Sequence, residues 1–74
     1  MSKLPAISGR EAAKALGTIG YELDHHTGSH MILRQAGYPH RRLTVPDHKE
    51  LAKGTLRAII RDAGLTVGEF AALL

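Results

Sequence analysis

Residues 21–46, YELDHHTGSHMILRQAGYPHRRLTVP, decide the fold of this 74-residue chain. Three segments of this stretch have the composition and alternation of short strands, and turn-forming residues separate them. The strands are predicted at residues 21–24, 30–34 and 42–45, and the turns at residues 26–29 and 35–40. Pro46 ends the third strand, because proline cannot donate to a sheet ladder. Connections this short predict an antiparallel meander.

One amphipathic helix is predicted on each side of this meander. The first opens with a capping box at residues 8–11, and its apolar spacing extends from about Gly9 to Ile19. The second begins near Lys53 or Thr55 and ends at Gly64. Its buried stripe is expected to contain Leu56, Ile59, Ile60 and Ala63, and a separate helical turn is expected at residues 47–51.

The end of the chain carries a second capping box, Thr66-Val67-Gly68-Glu69, which predicts a short amphipathic helix. The length allows one domain, residues 1–74, with a core at about 8–65 and a helical tail at 66–74. Two helices on one face of a three-stranded sheet form a two-layer α+β sandwich, in the order α-β-β-β-α with a short C-terminal helix. The other face of the sheet is then open.

The phase of the second strand decides which of its side chains reach that open face. Alternation places His30 and Ile32 on one face and Met31 and Leu33 on the other. His30 faces outward if Met31 and Leu33 face the helices. Because Ile32 is also apolar, the sequence leaves both phases open.

The composition excludes several classes of function. The chain has no cysteine, which excludes disulfides, thiol catalysis and zinc–thiolate sites and fits a cytoplasmic location. It has no apolar run of the ~18 residues that span a bilayer and no leader-like start, so no membrane association is expected. Of the charged residues between 34 and 61, seven are basic and two are acidic. This clustering is typical of a phosphate-binding surface, although a solvated face can have the same composition.

All five histidines lie between residues 25 and 48, and His30 is the strongest candidate for chemistry. A glycine–serine turn precedes it, a strand fixes its direction, and histidine transfers protons near neutral pH. A metal site at His25, His26 and His30 is a weaker interpretation, since no helical pair four residues apart accompanies them. Ser29 lacks the strand–turn–helix context of a serine nucleophile.

These residues favour metal-free acid–base cleavage of a phosphodiester. RNA carries its own nucleophile, the 2′-hydroxyl, so a protein needs only to move protons and to neutralise charge. The candidates for neutralising charge are Arg34, Arg41, Arg42 and Lys53, and His48 is the candidate for a second proton-transfer group. No cofactor is expected.

Motifs along nearly the whole chain resemble those of the HicA family, the small ribonuclease toxins of bacterial and archaeal toxin–antitoxin pairs. The resemblance includes Gly20-Tyr21 after the opening helix, Gly28-Ser29-His30, and Val45-Pro46-x-His48. Its longest part is residues 49–65, KELAKGTLRAIIRDAGL.

This resemblance implies a fold like that of double-stranded-RNA-binding domains and an endoribonuclease that cleaves mRNA and blocks translation. It implies that His30 is the essential catalytic residue. It also implies a HicB-type antitoxin that binds the toxin as a hetero-oligomer and covers the site. We expect the RNA to contact Gly28, Ser29, Arg34, Arg41, Arg42, His48, Lys53 and Arg57, and we expect no metal ion.

The chain departs from the family pattern at two places. Many relatives carry a second histidine directly after the motif histidine, where this chain has Met31. The tail beyond Leu65 is also longer than in compact members, which makes it a candidate for antitoxin binding or dimerisation. Two alternatives remain open: a non-catalytic RNA-binding module, in which His30 only contacts a phosphate or a base, and a protein-interaction subunit that uses the open sheet face.

Overall fold

The computed structural model of the protein describes residues 4–74. The elements, in chain order, are α1 (Gly9–Gly17), β1 (Tyr21–Thr27), β2 (His30–Gln35), β3 (Arg42–Pro46), α2 (Lys53–Asp62) and α3 (Val67–Ala71). The three strands form one antiparallel sheet in the order β1-β2-β3. The predicted meander and the α+β fold with a short C-terminal helix are confirmed.

Helix α1 begins at the predicted capping box. The Ser8 hydroxyl accepts a hydrogen bond from the Glu11 N–H at 3.1 Å, and the Glu11 carboxylate accepts one from the Ser8 N–H at 3.0 Å. The helix ends at Gly17, two residues before the predicted Ile19. The next three N–H groups bond to carbonyls three residues back, which tightens the chain into a turn, and Gly20 (φ 101°) redirects it into β1.

Strand β1 is three residues longer than predicted, and the first turn is correspondingly shorter. His26 pairs with Met31 and Thr27 pairs with His30, so only residues 28 and 29 form the turn. Gly28 has a φ of 52°, a value that two-residue hairpin turns require at this position and that favours glycine. The predicted four-residue turn at 26–29 is therefore wrong in length, because this glycine allows the tighter reversal.

The helical turn predicted at residues 47–51 is also wrong. This segment is irregular, because its backbone groups bond to other parts of the chain rather than to each other. The Asp47 N–H donates to the Ser29 carbonyl at 2.7 Å, the His48 carbonyl accepts from the Gly9 N–H at 2.9 Å, and the Leu51 N–H donates to the Ile7 carbonyl at 2.8 Å. These bonds attach the segment to α1 and to the β1–β2 turn.

Helix α2 ends in a Schellman motif at Gly64. The Gly64 N–H donates to the Arg61 carbonyl at 3.0 Å, and the Leu65 N–H donates to the Ile60 carbonyl at 3.1 Å. The φ of Gly64 is 78°, as this motif requires. Of the predicted stripe, Leu56, Ile59 and Ile60 are buried and Ala63 is partly buried.

Helix α3 also begins at its predicted capping box, with reciprocal hydrogen bonds between Thr66 and Glu69. Its Phe70 side chain is fully buried in the hydrophobic core, and Leu73 packs against that core. Leu74 is 54% exposed. Helix α3 therefore contributes its largest side chain to the packing of the whole domain.

The two sides of the sheet have opposite character. On the side that we call the covered face, the buried residues are Tyr21, Met31, Leu33, Leu43 and Val45, which pack with the helices. The phase of β2 follows from this burial, and it places His30 on the opposite side. Within residues 4–74, no helix has the length and hydrophobicity needed to span a bilayer.

Candidate functional site

The outward side of the sheet, which we call the open face, carries the candidate site. Cross-strand partners lie on the same side of an antiparallel sheet, so the strand register defines its members. They are Glu22, His25 and Thr27 of β1, His30, Ile32 and Arg34 of β2, and Arg42, Thr44 and Pro46 of β3. Ile32 and Pro46 are partly buried and the others are exposed.

His30 lies at the turn end of the open face, in the central strand. It pairs with Thr27 on one side and with Pro46 on the other, and its ring is exposed. The Ser29 hydroxyl lies 3.4 Å from its Nδ1. With Nδ1 facing Ser29, Nε2 is the ring nitrogen that can exchange a proton with a ligand on the open face. Within residues 4–74, no carboxylate forms an ion pair with His30.

Two arginines lie opposite each other at the other end of the open face. Arg34 of β2 pairs directly with Arg42 of β3, and both are exposed. Arg34 is four residues from His30 along the same strand, a separation of about 13 Å. Like charges placed directly opposite repel, and Glu22 of β1 pairs with Arg34 on its other side. This end of the open face therefore carries two cations and one carboxylate, a net positive charge that favours an anion.

Lys53 and Arg57 do not belong to the open face. Both are exposed on α2, four residues apart, and α2 packs beside β3 on the helical side of the sheet. Their charges therefore lie in the helical layer, apart from Arg34 and Arg42, with which the clustering of basic residues in the sequence had grouped them.

Arg41 contacts the end of helix α2. Its Nη1 donates to the Asp62 carbonyl at 3.3 Å, one of the carbonyls that the helix itself leaves unpaired. A Cβ at Gly64 would lie 3.0 Å from the same nitrogen, so the guanidinium packs closely over the Schellman turn. The structure thus gives Arg41 a contact that stabilises the fold, alongside its exposed position.

Gly28 and Ser29 adjoin His30, and His48 belongs to the segment that is hydrogen-bonded to the same turn. Gly28 and Ser29 form the turn that precedes His30, and the Ser29 carbonyl bonds to the N–H next to His48. His48 is exposed and lines a shallow concave surface at the start of α1, with Ser8, Arg10, Asp47 and Lys49. These three candidates and His30 are therefore brought to one end of the molecule.

A charged cluster beside this turn was missed by sequence reasoning. The Asp47 carboxylate accepts hydrogen bonds from Nε and Nη2 of Arg10, at 3.1 and 3.2 Å. The His26 Nε2 lies 3.3 Å from the same carboxylate. The Arg10 hydrogen bond holds the pKa of the Asp47 carboxyl below its ordinary value, and Asp47 in turn raises the pKa of Arg10.

This cluster could not be found from spacing, because Arg10 and Asp47 are 37 residues apart.

His26 and His25 are neighbours in sequence but belong to opposite sides of the sheet, since His26 pairs with Met31 and His25 with Ile32. Within the part of the chain that the structure describes, no three histidine or acidic side chains lie close enough together to hold a metal ion.

Comparison with known protein families agrees with this arrangement. The sequence profile described as HicA toxin of bacterial toxin–antitoxin systems matches residues 9–65. That match includes α1, the whole sheet and α2, and it contains His30 and the residues around it. A comparison with curated protein sequences finds no match. Because the matched segment covers well over half of the chain, this protein belongs to the HicA family of toxins from bacterial toxin–antitoxin systems.

Proposed function

We propose that this protein is an endoribonuclease toxin that cleaves mRNA by acid–base catalysis at His30 and thereby inhibits translation. The observation that carries the proposal is the position of His30 on the open face, exposed at a two-residue turn, inside the segment that matches the toxin family. The proposal extends the family assignment from a toxin to a named reaction and a named residue.

The chemistry needs a proton-transfer group with access to the RNA backbone. The 2′-hydroxyl attacks the adjacent phosphorus and loses its proton, while the bond to the 5′-oxygen breaks and that oxygen gains a proton. The His30 Nε2 performs one of these two transfers, since Nδ1 faces Ser29. One such group typically accelerates a reaction about 10²–10⁴-fold. His48 remains our candidate for the other transfer.

Arginines on the open face supply the charge that RNA binding requires. Arg34 and Arg42 share the face with His30, so one RNA strand lying across the sheet reaches both. Arg34 lies about 13 Å from His30 along β2, so RNA that contacts both residues extends along the strand for that distance. Gly28 and Ser29, beside His30, complete the contacts that we propose on this face. RNA that continues past the β3 edge would contact Arg41, Lys53 and Arg57, which lie outside the open face.

A cognate antitoxin is the second partner that we propose. Family membership implies pairing with an antitoxin, and we propose a HicB-type protein that forms a hetero-oligomer with the toxin and covers the open face. Covering that face would block His30 and both arginines at once. An antitoxin bound there would protect RNA from cleavage without contacting the covered face.

The test is to express the wild type and His30→Ala without an antitoxin and to measure growth and mRNA integrity. We expect the wild type to arrest growth and degrade mRNA, and His30→Ala to do neither. His40→Asn is the matched control. It removes an exposed imidazole from the other loop, and asparagine tolerates the φ of 59° at this position.

Cleavage of a defined RNA by purified protein separates the alternatives. We expect cleavage to persist in EDTA, because the proposed chemistry uses no metal ion. Loss of activity in EDTA would favour a metal site instead. A wild type that binds the RNA but leaves it intact would favour a non-catalytic RNA-binding module, and cleavage that survives His30→Ala would contradict the role of His30.

A further inference from the structure

The turn that carries His30 has few contacts of its own. Every residue from 25 to 30 is exposed, and nothing lies within 4 Å of a Cβ placed on Gly28. Within residues 4–74, the one hydrogen-bond partner of the Ser29 hydroxyl is the neighbouring His30 ring, at 3.4 Å. An exposed turn of this kind is mobile unless the backbone beside it is held.

Asp47 connects this turn to helix α1 and strand β1. Its backbone N–H donates to the Ser29 carbonyl at 2.7 Å, one residue beyond the pair formed by His30 and Pro46. Its carboxylate receives two hydrogen bonds from Arg10 in the first turn of α1, and it lies 3.3 Å from the His26 ring in β1. One residue therefore joins α1, β1 and the turn.

The start of α1 holds the Asp47 segment from the other side. A Cβ on Gly9 would overlap the Pro46 carbonyl oxygen, so the helix and the segment are in direct backbone contact. The Gly9 N–H also donates to the His48 carbonyl at 2.9 Å. Asp47 thus lies between Pro46, which packs against Gly9, and His48, which is hydrogen-bonded to Gly9, and its position is fixed relative to α1.

The groups facing the Asp47 carboxylate are mostly basic. Arg10 comes from α1 and His26 from β1, while His48 and Lys49 follow Asp47 in its own segment and line the same surface. Among these residues Asp47 is the single carboxylate. Loss of its charge leaves the Arg10 and Lys49 cations beside the turn without this carboxylate, which weakens the connection further.

We propose that Asp47 is a positioning residue, which, together with Arg10 and His26, holds the Gly28–Ser29–His30 turn where His30 can act. The structural part of this proposal stands on the contacts above, and the catalytic part rests on the proposed ribonuclease function. The two arginines proposed to bind RNA, Arg34 and Arg42, lie at the other end of the open face, so the network is expected to change the rate of cleavage more than the affinity for RNA.

The test compares Asp47→Asn, Asp47→Ala and Arg10→Met with the wild type. Asp62→Asn is the matched control, because it removes an exposed carboxylate at the far end of α2. Amide hydrogen exchange by NMR, at a temperature where circular dichroism shows every variant folded, reports on the turn. In Asp47→Ala we expect faster exchange of the backbone N–H at position 47, which donates to Ser29, and a shifted His30 ring signal. Smaller changes are expected in Asp47→Asn, whose amide oxygen still accepts from Arg10.

Single-turnover cleavage and RNA affinity are then measured on the same proteins. We expect Asp47→Ala to cleave about 10- to 100-fold more slowly, the size of effect that misplacement of a catalytic group produces. Affinity is measured with an uncleavable RNA analogue that has a 2′-deoxy nucleotide at the scissile position. Its Kd for Asp47→Ala should differ from that for the wild type by less than about twofold. Asp62→Asn should match the wild type in every measurement.

Each other outcome overturns a definite part of the proposal. Unchanged exchange in Asp47→Ala would show that the network does not hold the turn. Faster exchange with an unchanged cleavage rate would show that it plays no part in positioning His30 for catalysis. A wild type without cleavage would contradict the proposed ribonuclease function, and the exchange data alone would then decide whether Asp47 holds the turn.

Discussion

The covered face and the open face of the same three strands differ completely in what they contain. The central strand shows this most clearly, since Met31 and Leu33 are buried while His30 and Arg34, their neighbours in sequence, are exposed. Strand β3 repeats the pattern, with Leu43 and Val45 buried and Arg42 and Thr44 exposed. Consecutive residues in one strand are therefore alternately buried in the core and exposed on the open face.

This difference indicates that stability and activity can be changed separately in this protein. Side chains on the covered face contribute the hydrophobic core, and their loss costs several kcal/mol. The open face makes few contacts that stabilise the fold, and its paired arginines repel each other. Variants of the two faces should therefore affect different measurements: those of the covered face the free energy of unfolding, and those of the open face the binding and cleavage of RNA.

The largest effect is expected for Phe70→Ala. Phe70 is fully buried, although it lies beyond the segment that matches the toxin family. Truncation should reduce the free energy of unfolding in urea by about 3–5 kcal/mol, a large part of the total for a small domain. Leu74→Ala, at a residue 54% exposed, is the control and should change it by less than about 0.5 kcal/mol. An unchanged value for Phe70→Ala would contradict the packing of α3 in the core.

A smaller loss is expected for Gly9→Ala, at the contact between α1 and Pro46. The added methyl group would overlap the Pro46 carbonyl, and the backbone must move to relieve the overlap. We expect a loss of about 1–3 kcal/mol. Gly17→Ala is the matched substitution in the same helix, with no atom within 4 Å of the added methyl, and should raise stability by about 0.4–1 kcal/mol. Equal effects of both substitutions would refute the close contact at Gly9.

Arg42→Thr, on the open face, is expected to raise stability rather than lower it. Removing one of two facing arginines, and replacing it with a good strand former, should raise stability by about 0.2–1 kcal/mol. The same change should weaken RNA binding and reduce the dependence of log K on log salt by about 0.7, the value for one phosphate contact in a single strand. Arg61→Gln removes an equal charge from α2 and is the control. Tighter binding by Arg42→Thr would contradict the proposed role of this face.

The smallest effect concerns the pH dependence of stability at Asp47. The Arg10 hydrogen bond lowers the pKa of Asp47 in the folded protein. Because the pKa is lower in the folded protein, the ionised Asp47 contributes fully to the free energy of unfolding above the unfolded-state pKa of about 3.9. This contribution is lost as the pH falls through the folded-state pKa. The difference in unfolding free energy between wild type and Asp47→Asn should therefore shrink as pH falls toward about 2. A difference that stays constant with pH would indicate that the ion pair contributes nothing.

Local patterns in the sequence predicted the elements well, because each depends on nearby residues. Both capping boxes form as predicted, since their hydrogen bonds join residues three apart. The strand alternation of His30 to Leu33 predicted two faces, and burial of Met31 and Leu33 then settled which one His30 occupies. The two-residue turn was not predicted, because polar residues such as His26 can also extend a strand at a sheet edge.

Long-range contacts were beyond local patterns, and they determine the candidate site. The Asp47 segment has helix-like composition but is irregular, because its hydrogen bonds go to Ser29, Gly9 and Ile7 in distant parts of the chain. The contact between Arg10 and Asp47 has no signature in spacing. The contact of Arg41 with the end of α2 is of the same kind. The sequence shows that basic residues are concentrated between residues 34 and 61. Only the fold shows which of them lie on the open face and which lie on α2.

His30→Ala tests the central claim most directly, when its stability and its single-turnover rate of RNA cleavage are measured on the same sample. His30 is exposed on the open face, so the account predicts an unfolding free energy within about 0.5 kcal/mol of the wild type. It predicts in the same sample a fall of at least about 10²-fold in the cleavage rate. A folded His30→Ala protein that cleaves RNA at the wild-type rate would contradict the account.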